Sequence, residues 1–384
     1  MTDIWHSLRE AFFMFWETLW ALVLGFGLSG AVQAFVSKEE MQRVMGDHRP
    51  PAVARGTFFG MVSSSCSYAA TAMAKSLYEK GADFLSSMVF MFASTNLVIE
   101  LGVVLLILLG WQFAVAEYVG GVIMIVLLVV LGGVVLNRRV TARAREHVLH
   151  AAGGGHDHGA MTGVSEERQE QLEHMPWRRK LTSAAAWSDS AAYTMADINM
   201  LRRELVIGYL VAGFLAVMVP MEVWNDIFVS GHGFWTTLQN VIIGPFIAII
   251  SFVCSIGNVP MAAALWQGGI SFGGVISFIF ADLIAFPLIL IYRKYYGTRL
   301  AIRLTLTFWA VMSLAGLIVE GIFTLFGAVP TSRPKEIVAT HFQWNYTTFL
   351  NIAFLGVFAV LYWLYRNHAR LSGAALPVPE CHQH

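Results

Sequence analysis

Nine stretches of this chain are apolar over roughly the length a helix needs to cross a lipid bilayer, about 20 residues. Seven are nearly uninterrupted: 11–36, 84–110, 113–137, 205–228, 271–292, 301–327 and 345–366. Two more, 52–76 and 238–266, are long enough but are broken by SSSCS and CSIGNVP. Composition agrees, with 13% charged residues where a soluble domain carries about 25%. That is too few to cover a surface facing water, and the expectation is an all-α integral membrane protein with the lipid bilayer as its main partner. A formal net charge of zero offers no basic field for nucleic acid. Three cysteines in 384 residues exclude a disulfide framework. The first run is followed by AVQA, which resembles a signal cleavage site. Its apolar stretch exceeds the roughly 7–15 residues of a signal core, and it has a counterpart further along the chain.

That counterpart belongs to an internal repeat. Offset by 188 residues, GTFFGMVSSSCSYAATAMAKSLYEKGADFLSSMVFMFAS lies on GPFIAIISFVCSIGNVPMAAALWQGGISFGGVISFIFAD. Gly56/Gly244, Ser63/Ser251, Cys66/Cys254, Ser67/Ser255, Met73/Met261, Leu77/Leu265 and Gly81/Gly269 are identical pairs. Apolar composition inflates chance matches at Leu or Phe, but it does not account for two of three cysteines coinciding. The chain therefore divides into a membrane repeat at 1–137, a His-containing linker at 138–204, a second repeat at 205–328, an additional span within 329–370 and a tail at 371–384.

Charge bias orients these parts, because Lys and Arg collect in cytoplasmic loops. The linker holds Arg138, Arg139, Arg143, Arg145 and Arg178–Lys180, and the loop 293–303 holds Arg293, Lys294, Arg299 and Arg303, whereas 222–233 has Glu222 and Asp226 without Lys or Arg. If 238–266 crossed once, the acidic loop and the basic loop would share a side. The conflict disappears if 238–266 and 52–76 are re-entrant hairpins. Each half then has three spans and one hairpin. An odd number of spans inserts the halves upside down relative to each other, as in many secondary transporters. This predicts seven full spans and two hairpins, with the N-terminus outside and the C-terminus inside.

Irregular backbone at membrane depth is tolerated only where protein or a water-filled cavity satisfies it. The two breaks are such segments, and they nominate Cys66, Ser65 and Ser67 from the first and Cys254, Ser255 and Asn258 from the second as substrate-binding residues. Thiols suit a thiophilic metal or metalloid, while exposed amides at helix starts suit an anion. Met73 and Met261 are secondary candidates. Among the carboxyls in apolar stretches (Glu17, Glu100, Glu117, Asp282, Glu320), Asp282 and Glu100 are the coupling candidates, with Asn96 on the same span as Glu100, because ionisable groups at depth are costly and usually functional. For Glu17, Glu117 and Glu320 two readings stay open, a functional group at depth or a side chain near an interface or facing water. In the linker His147, His150, His156 and His158, and in the tail Cys381, His382 and His384, carry metal-ligand chemistry without a specific spacing.

At the two Cys-containing breaks the chain resembles the ArsP-like permeases, bacterial inner-membrane proteins that include organoarsenical exporters. The resemblance is strongest at SSSCSYAATAMAKSLYEKGADFLSSMVFMFASTN and SFVCSIGNVPMAAALWQGGISFGGVISFIFADLI. It implies permease activity without a cofactor, an inner-membrane location and, for some members, export of trivalent arsenicals through thiols corresponding to Cys66 and Cys254. The first break has Ala72 opposite Pro260, and neither break has a Cys-x-Cys doublet. Uptake of a sulfur-containing or oxyanionic solute fits the same hairpins. A membrane thiol oxidoreductase would use the cysteines as a redox pair, but no C-x-x-C is present. A metal sensor anchored in the membrane would need no duplicated core. No G-x-x-x-x-G-K-[ST] motif is present, so a secondary carrier, alone or as a homo-oligomer, is the expectation.

Overall fold

The computed structural model describes residues 2–63, 66–136, 141, 177–218, 233–251, 258–330 and 346–372. These are helical, with no strand among them. The first half comprises α1 (Thr2–Phe35), α2 (Lys38–Met45), α3 (Pro50–Ser63), α4 (Ser67–Glu79), α5 (Phe84–Asn96), α6 (Ile99–Leu108) and α7 (Trp111–Val135). After α8 (Trp177–Thr182) come α9 (Ala184–Met218), α10 (Phe234–Ser251), α11 (Asn258–Gln267) and α12 (Phe272–Phe280). A 3-10 turn (Ala281–Ile284) leads into α13 (Phe286–Tyr296), α14 (Thr298–Leu325), α15 (Tyr346–Arg366) and α16 (His368–Ser372). Six of the described helical segments are long and apolar enough to cross a membrane, and the bent pair α12–α13 makes a seventh if counted as one span.

The two segments matched in the sequence share local structure. Helix α4 ends with Gly81 at φ +106° and α11 with Gly269 at φ +104°, a left-handed conformation that glycine adopts without steric cost. In both turns the next amide reaches back to the last helical turn, Ala82 to Leu77 and Ile270 to Leu265, the pairing of a Schellman C-cap. The following helix starts each time on a capping side chain, Asp83 accepting from the Leu85 amide and Ser271 from the Gly274 amide. A Cβ on Gly56 would lie 3.3 Å from the Ser86 carbonyl oxygen, and one on Gly244 would lie 2.8 Å from that of Gly274. The glycines, the amides that close the turns and the capping side chains are each 188 residues from their counterparts. Accordingly α3 packs on α5 as α10 packs on α12, and α7 crosses α14.

The first interrupted stretch closes on itself. The Asp83 amide donates to the Met45 carbonyl (2.7 Å), and the Ser86 hydroxyl donates to that of Asp47 (2.5 Å). The approach to α3 and the turn after α4 therefore lie at one end of the molecule.

Polarity is distributed inside out. Valines along one side of α7, among them Val122, Val126 and Val130, are exposed, as are Phe349, Ile352 and Trp363 of α15. Ser29, Thr71, Asn96, Glu117, Asn258 and Asp282 are buried. Such a surface suits lipid, where apolar side chains face the solvent and polar groups must find partners within the protein.

Helix α9 begins at Ala184, well before the apolar stretch that starts near 205. Its early part is polar because it faces inward: Asp189, Ser190, Thr194 and Asp197 are buried, and the whole helix lies along α1. Hydropathy alone does not register a helix whose polar side is the protein side. The crossing is close. A Cβ on Gly30 would overlap Thr194 and the Ser190 carbonyl, and one on Gly213 would overlap the backbone of Ser7.

Candidate functional site

The start of α4 meets the break between α12 and α13. Cys66 occupies the N-cap of α4 in an extended conformation, buried, and its thiol makes no capping bond. The first amides of a helix have no partner within it and carry the positive end of its dipole. A carboxylate faces them: the Ser67 hydroxyl donates to Asp282 Oδ2 at 2.7 Å, joining residues 215 positions apart. Asp282 lies in the 3-10 turn where the axes of α12 and α13 differ by 41°. Pro287 in the first turn of α13 gives up an amide that would have no helical partner there. This junction joins one repeat to the other.

Three further side chains line it. The Thr71 hydroxyl, one turn along α4, donates to the Ser67 carbonyl (2.7 Å) and lies 3.5 Å from Met91 Sδ. The Tyr292 hydroxyl donates to the Leu283 carbonyl (2.8 Å) and lies 3.8 Å from the same sulfur. Both hydrogen bonds hold backbone at a helix start or break, so the irregular segments are fixed by side chains. The thioether of Met91 adds a second soft sulfur to the half of the site that contains Cys66.

The matching junction joins the start of α11 to the break between α5 and α6. Asn258 opens α11 and is fully buried, and neither its amide nitrogen nor its oxygen has a hydrogen-bond partner among the described residues. Asn96 ends α5, with its Nδ2 donating to Thr95 Oγ1 (2.9 Å) and the Phe92 carbonyl (3.3 Å) and its Oδ1 without a partner among those residues. Helices α11 and α6 are in contact.

The structure thus brings Ser67 and Asp282 together, with Cys66 beside Ser67, and buries Asn258 and Asn96. Met73 packs with Met41, Met45, Leu77 and Phe90 in a separate apolar cluster, while Met261 is half-buried against the main core. Glu100 is half-buried in the first turn of α6. Glu320 accepts a hydrogen bond from the Gly273 amide at the start of α12. Glu117, for which the sequence leaves open an interfacial or a deeper place, is fully buried. Cys254, Ser65, Ser255, His147, His150, His156, His158, Cys381, His382 and His384 lie outside the described residues. Among those described, no three His, Cys, Asp or Glu side chains converge as a metal site.

A second buried polar cluster lies further along α4. Lys75 Nζ is 3.2 Å from Glu79 Oε1 and 3.8 Å from Asp197 Oδ1. Asp197 Oδ2 accepts from the Ser29 hydroxyl (2.7 Å) and Gln33 Nε2 (3.1 Å). Ser67, Thr71, Lys75 and Glu79 stand at i+4 spacing and form one polar stripe. That period was present in the sequence and would have drawn attention to Thr71 and Lys75. No comparable signal marks Met91 or Asp197.

A family described as predicted permeases, the ArsP type, matches residues 7–321. The chain belongs to that family. Both junctions and the bent span lie within the matched region. The chain is also 45% identical over 326 residues to a protein of Mycobacterium tuberculosis named as a permease, Rv2963, which covers 85% of this chain and 79% of that one. No solved structure matches the chain. As a member of this permease family it is a multi-pass membrane transporter.

Proposed function

We propose that this permease exports a thiophilic metalloid or metal species, of the kind trivalent arsenicals represent, through the junction of α4 with the α12–α13 break. The observation that carries the reading is the Ser67–Asp282 hydrogen bond between the halves, with the Cys66 thiol at the same helix start and the Met91 thioether one hydroxyl away. Soft sulfur ligands select soft acids. A carboxyl at a helix start supplies a group that can exchange protons as the substrate moves.

In this reading the halves are inverted in an inner membrane, α3–α4 and α10–α11 are hairpins reaching the midplane, and residues 138–176 are cytoplasmic. The shared hydrogen bonds of Met45 with Asp83 and of Asp47 with Ser86 support a hairpin that enters and leaves on one face. Motion of one half against the other would part Ser67 from Asp282 and open the site to alternate sides, the usual behaviour of inverted repeats. Cys254 and Ser255 would complete the site from the second break.

Transport into inside-out vesicles tests the proposal. A trivalent organoarsenical should accumulate with the parent protein, and Cys66→Ser and Cys254→Ser should each lower the rate sharply, because a hydroxyl is a poor soft ligand. Unchanged rates in both variants would discard thiol recognition. If Asn258→Ala were the damaging change, an oxyanion held by amides would replace the metalloid.

A further inference from the structure

Glu117 is a carboxyl with no visible reason to be where it is. It lies within α7, fully buried, and neither carboxyl oxygen has a hydrogen-bond partner among the described residues. The other fully buried carboxyls of the described residues are engaged: Asp197 by Ser29 and Gln33, Asp189 by His368 (2.8 Å) and Asp282 by Ser67, and half-buried Glu320 accepts from the Gly273 amide. A carboxylate placed in an apolar interior without a partner is among the costliest arrangements in a protein, and such groups within membranes mark ion or proton pathways.

Its neighbourhood says what it serves. One turn along α7, Gly120 is packed so closely on Phe280 that a Cβ there would overlap the ring. Phe280 is two residues before Asp282. A Cβ on the adjacent Gly121 would overlap the Leu97 side chain and lie 3.8 Å from the Asn96 carbonyl oxygen. Helix α7 is therefore fitted by two glycines between the two helix breaks, with Glu117 one turn away. The carboxyl that interacts with it electrostatically is Asp282. Other titratable and charged groups nearby are accounted for. Tyr118 donates to the Val98 carbonyl, Tyr292 to that of Leu283, and Glu320 is engaged as above. Glu100 is half-buried at the start of α6, and Arg299 and Arg303 of α14 are exposed.

We propose that Glu117 and Asp282 form one two-carboxyl site whose ligand is the proton exchanged during transport, with Glu117 as the group that holds it. The proton is taken up from water when the site opens on one side and returned to water on the other, and no bond other than the carboxyl O–H is made or broken. The proposal rests on the reading of this chain as a permease with its site at the Ser67–Asp282 junction.

The test does not require substrate. The intact protein in lipid vesicles is titrated by infrared difference spectroscopy of the carboxylic C=O band. Two interacting carboxyls release their protons in two coupled macroscopic steps. The parent should show both steps, and Glu117→Gln and Asp282→Asn should each leave one. Glu100→Gln and Glu320→Gln should leave the two-step curve unchanged. Should Glu117→Gln fail to fold, Glu117→Asp keeps the carboxyl and should shift the band without abolishing it. A two-step curve unaffected by Glu117→Gln, or a parent that titrates in one step, overturns the proposal. Arsenical transport is measured on the same preparations to separate the two claims. Coupled titration without transport sustains the proton pair and sinks the substrate, whereas transport without coupled titration does the reverse.

Discussion

Replacing Asp197 by Asn exchanges one oxygen for a nitrogen at the far end of α4 from the substrate site, yet it should cost this protein several kcal/mol. Lys75 and Asp197 are both nearly inaccessible, with side chains 6% and 5% exposed and 3.8 Å between charged atoms. At an effective dielectric near 20, unit charges at that distance attract by roughly 4 kcal/mol. Lys75 keeps Glu79 at 3.2 Å, which retains part of that energy. Asparagine can still accept from Ser29 or Gln33. The expected loss is about 3 kcal/mol, the low end for removing one partner of a buried pair. Asp197→Ala also strips the acceptor from Ser29 and Gln33 and should cost about 1–3 kcal/mol more. Lys75→Met combined with Asp197→Leu should cost less than the two single changes summed, because the residues act as one unit. Reversible unfolding of purified protein by titrating a denaturing detergent into a mild one gives these differences. An Asp197→Asn variant within about 0.5 kcal/mol of the parent, the range of ordinary surface changes, would refute the electrostatic reasoning. So would equal losses for Asn and Ala.

Four other outcomes are expected. Ser67→Ala leaves Asp282 without its donor across the halves and should reduce transport more than it reduces thermal stability, as rate assays alongside melting curves will show. Gly60→Leu directs a side chain from a point 2.5 Å from the Phe90 carbonyl oxygen and 2.7 Å from the Ala93 Cβ. It should separate α3 from α5 and lower stability by at least the roughly 1–3 kcal/mol typical of overpacking, read from thermal melts in detergent. Glu40 is held below the usual carboxylate range chiefly by the Ser37 amide, within the capping box that starts α2. Its contribution is therefore complete above the unfolded value, near 4.3, and is lost as pH falls through the lower folded value; α2 amides should exchange faster over that acid range, and Glu40→Gln, which still caps, should flatten the dependence. Finally, labelling of single-cysteine variants near 40–50 and 78–82 should occur from the same side of the membrane, and labelling from opposite sides would end the hairpin reading.

Much of the architecture was legible because it is written in backbone chemistry. Gly81 and Gly269, and Asp83 and Ser271, specify turns and caps that depend on neighbours in sequence. Asp282 was legible as a functional carboxyl, because an ionisable group with apolar flanks is costly at depth, but the bend it occupies was not, since 271–292 reads as one uninterrupted apolar run. What stayed hidden depended on contacts distant in sequence. Asp197 looked like part of a hydrophilic linker, because its polarity is directed at Ser29, Gln33 and Lys75 on other helices. Glu117 is near the beginning of an apolar run, where an interfacial place and a buried one read alike, since nothing in its flanks reveals that its helix packs at Gly120 and Gly121 on Phe280 and Leu97. Met91 is one methionine among 17, and only the approach of two hydroxyls distinguishes it.

The hydrogen bond from Ser67 to Asp282 also bears on how such a chain could arise. A half-length ancestor would hold the donor on one copy and the acceptor on the next, so it could work only as a pair, and that pair would carry two identical sites. Fusion of the copies frees each site to change alone. In this chain the position matching Asp282 in the first half is Ser94, whose hydroxyl donates to the carbonyl of Met91 in its own helix. One junction keeps an acid across from a helix start, and its twin is left with Asn96 and Asn258, two neutral amides. If the halves descend from one unit, labour has been divided between two formerly interchangeable places, and a Ser94→Asp, Asp282→Ser exchange asks whether the direction of transport follows the acid or the fold.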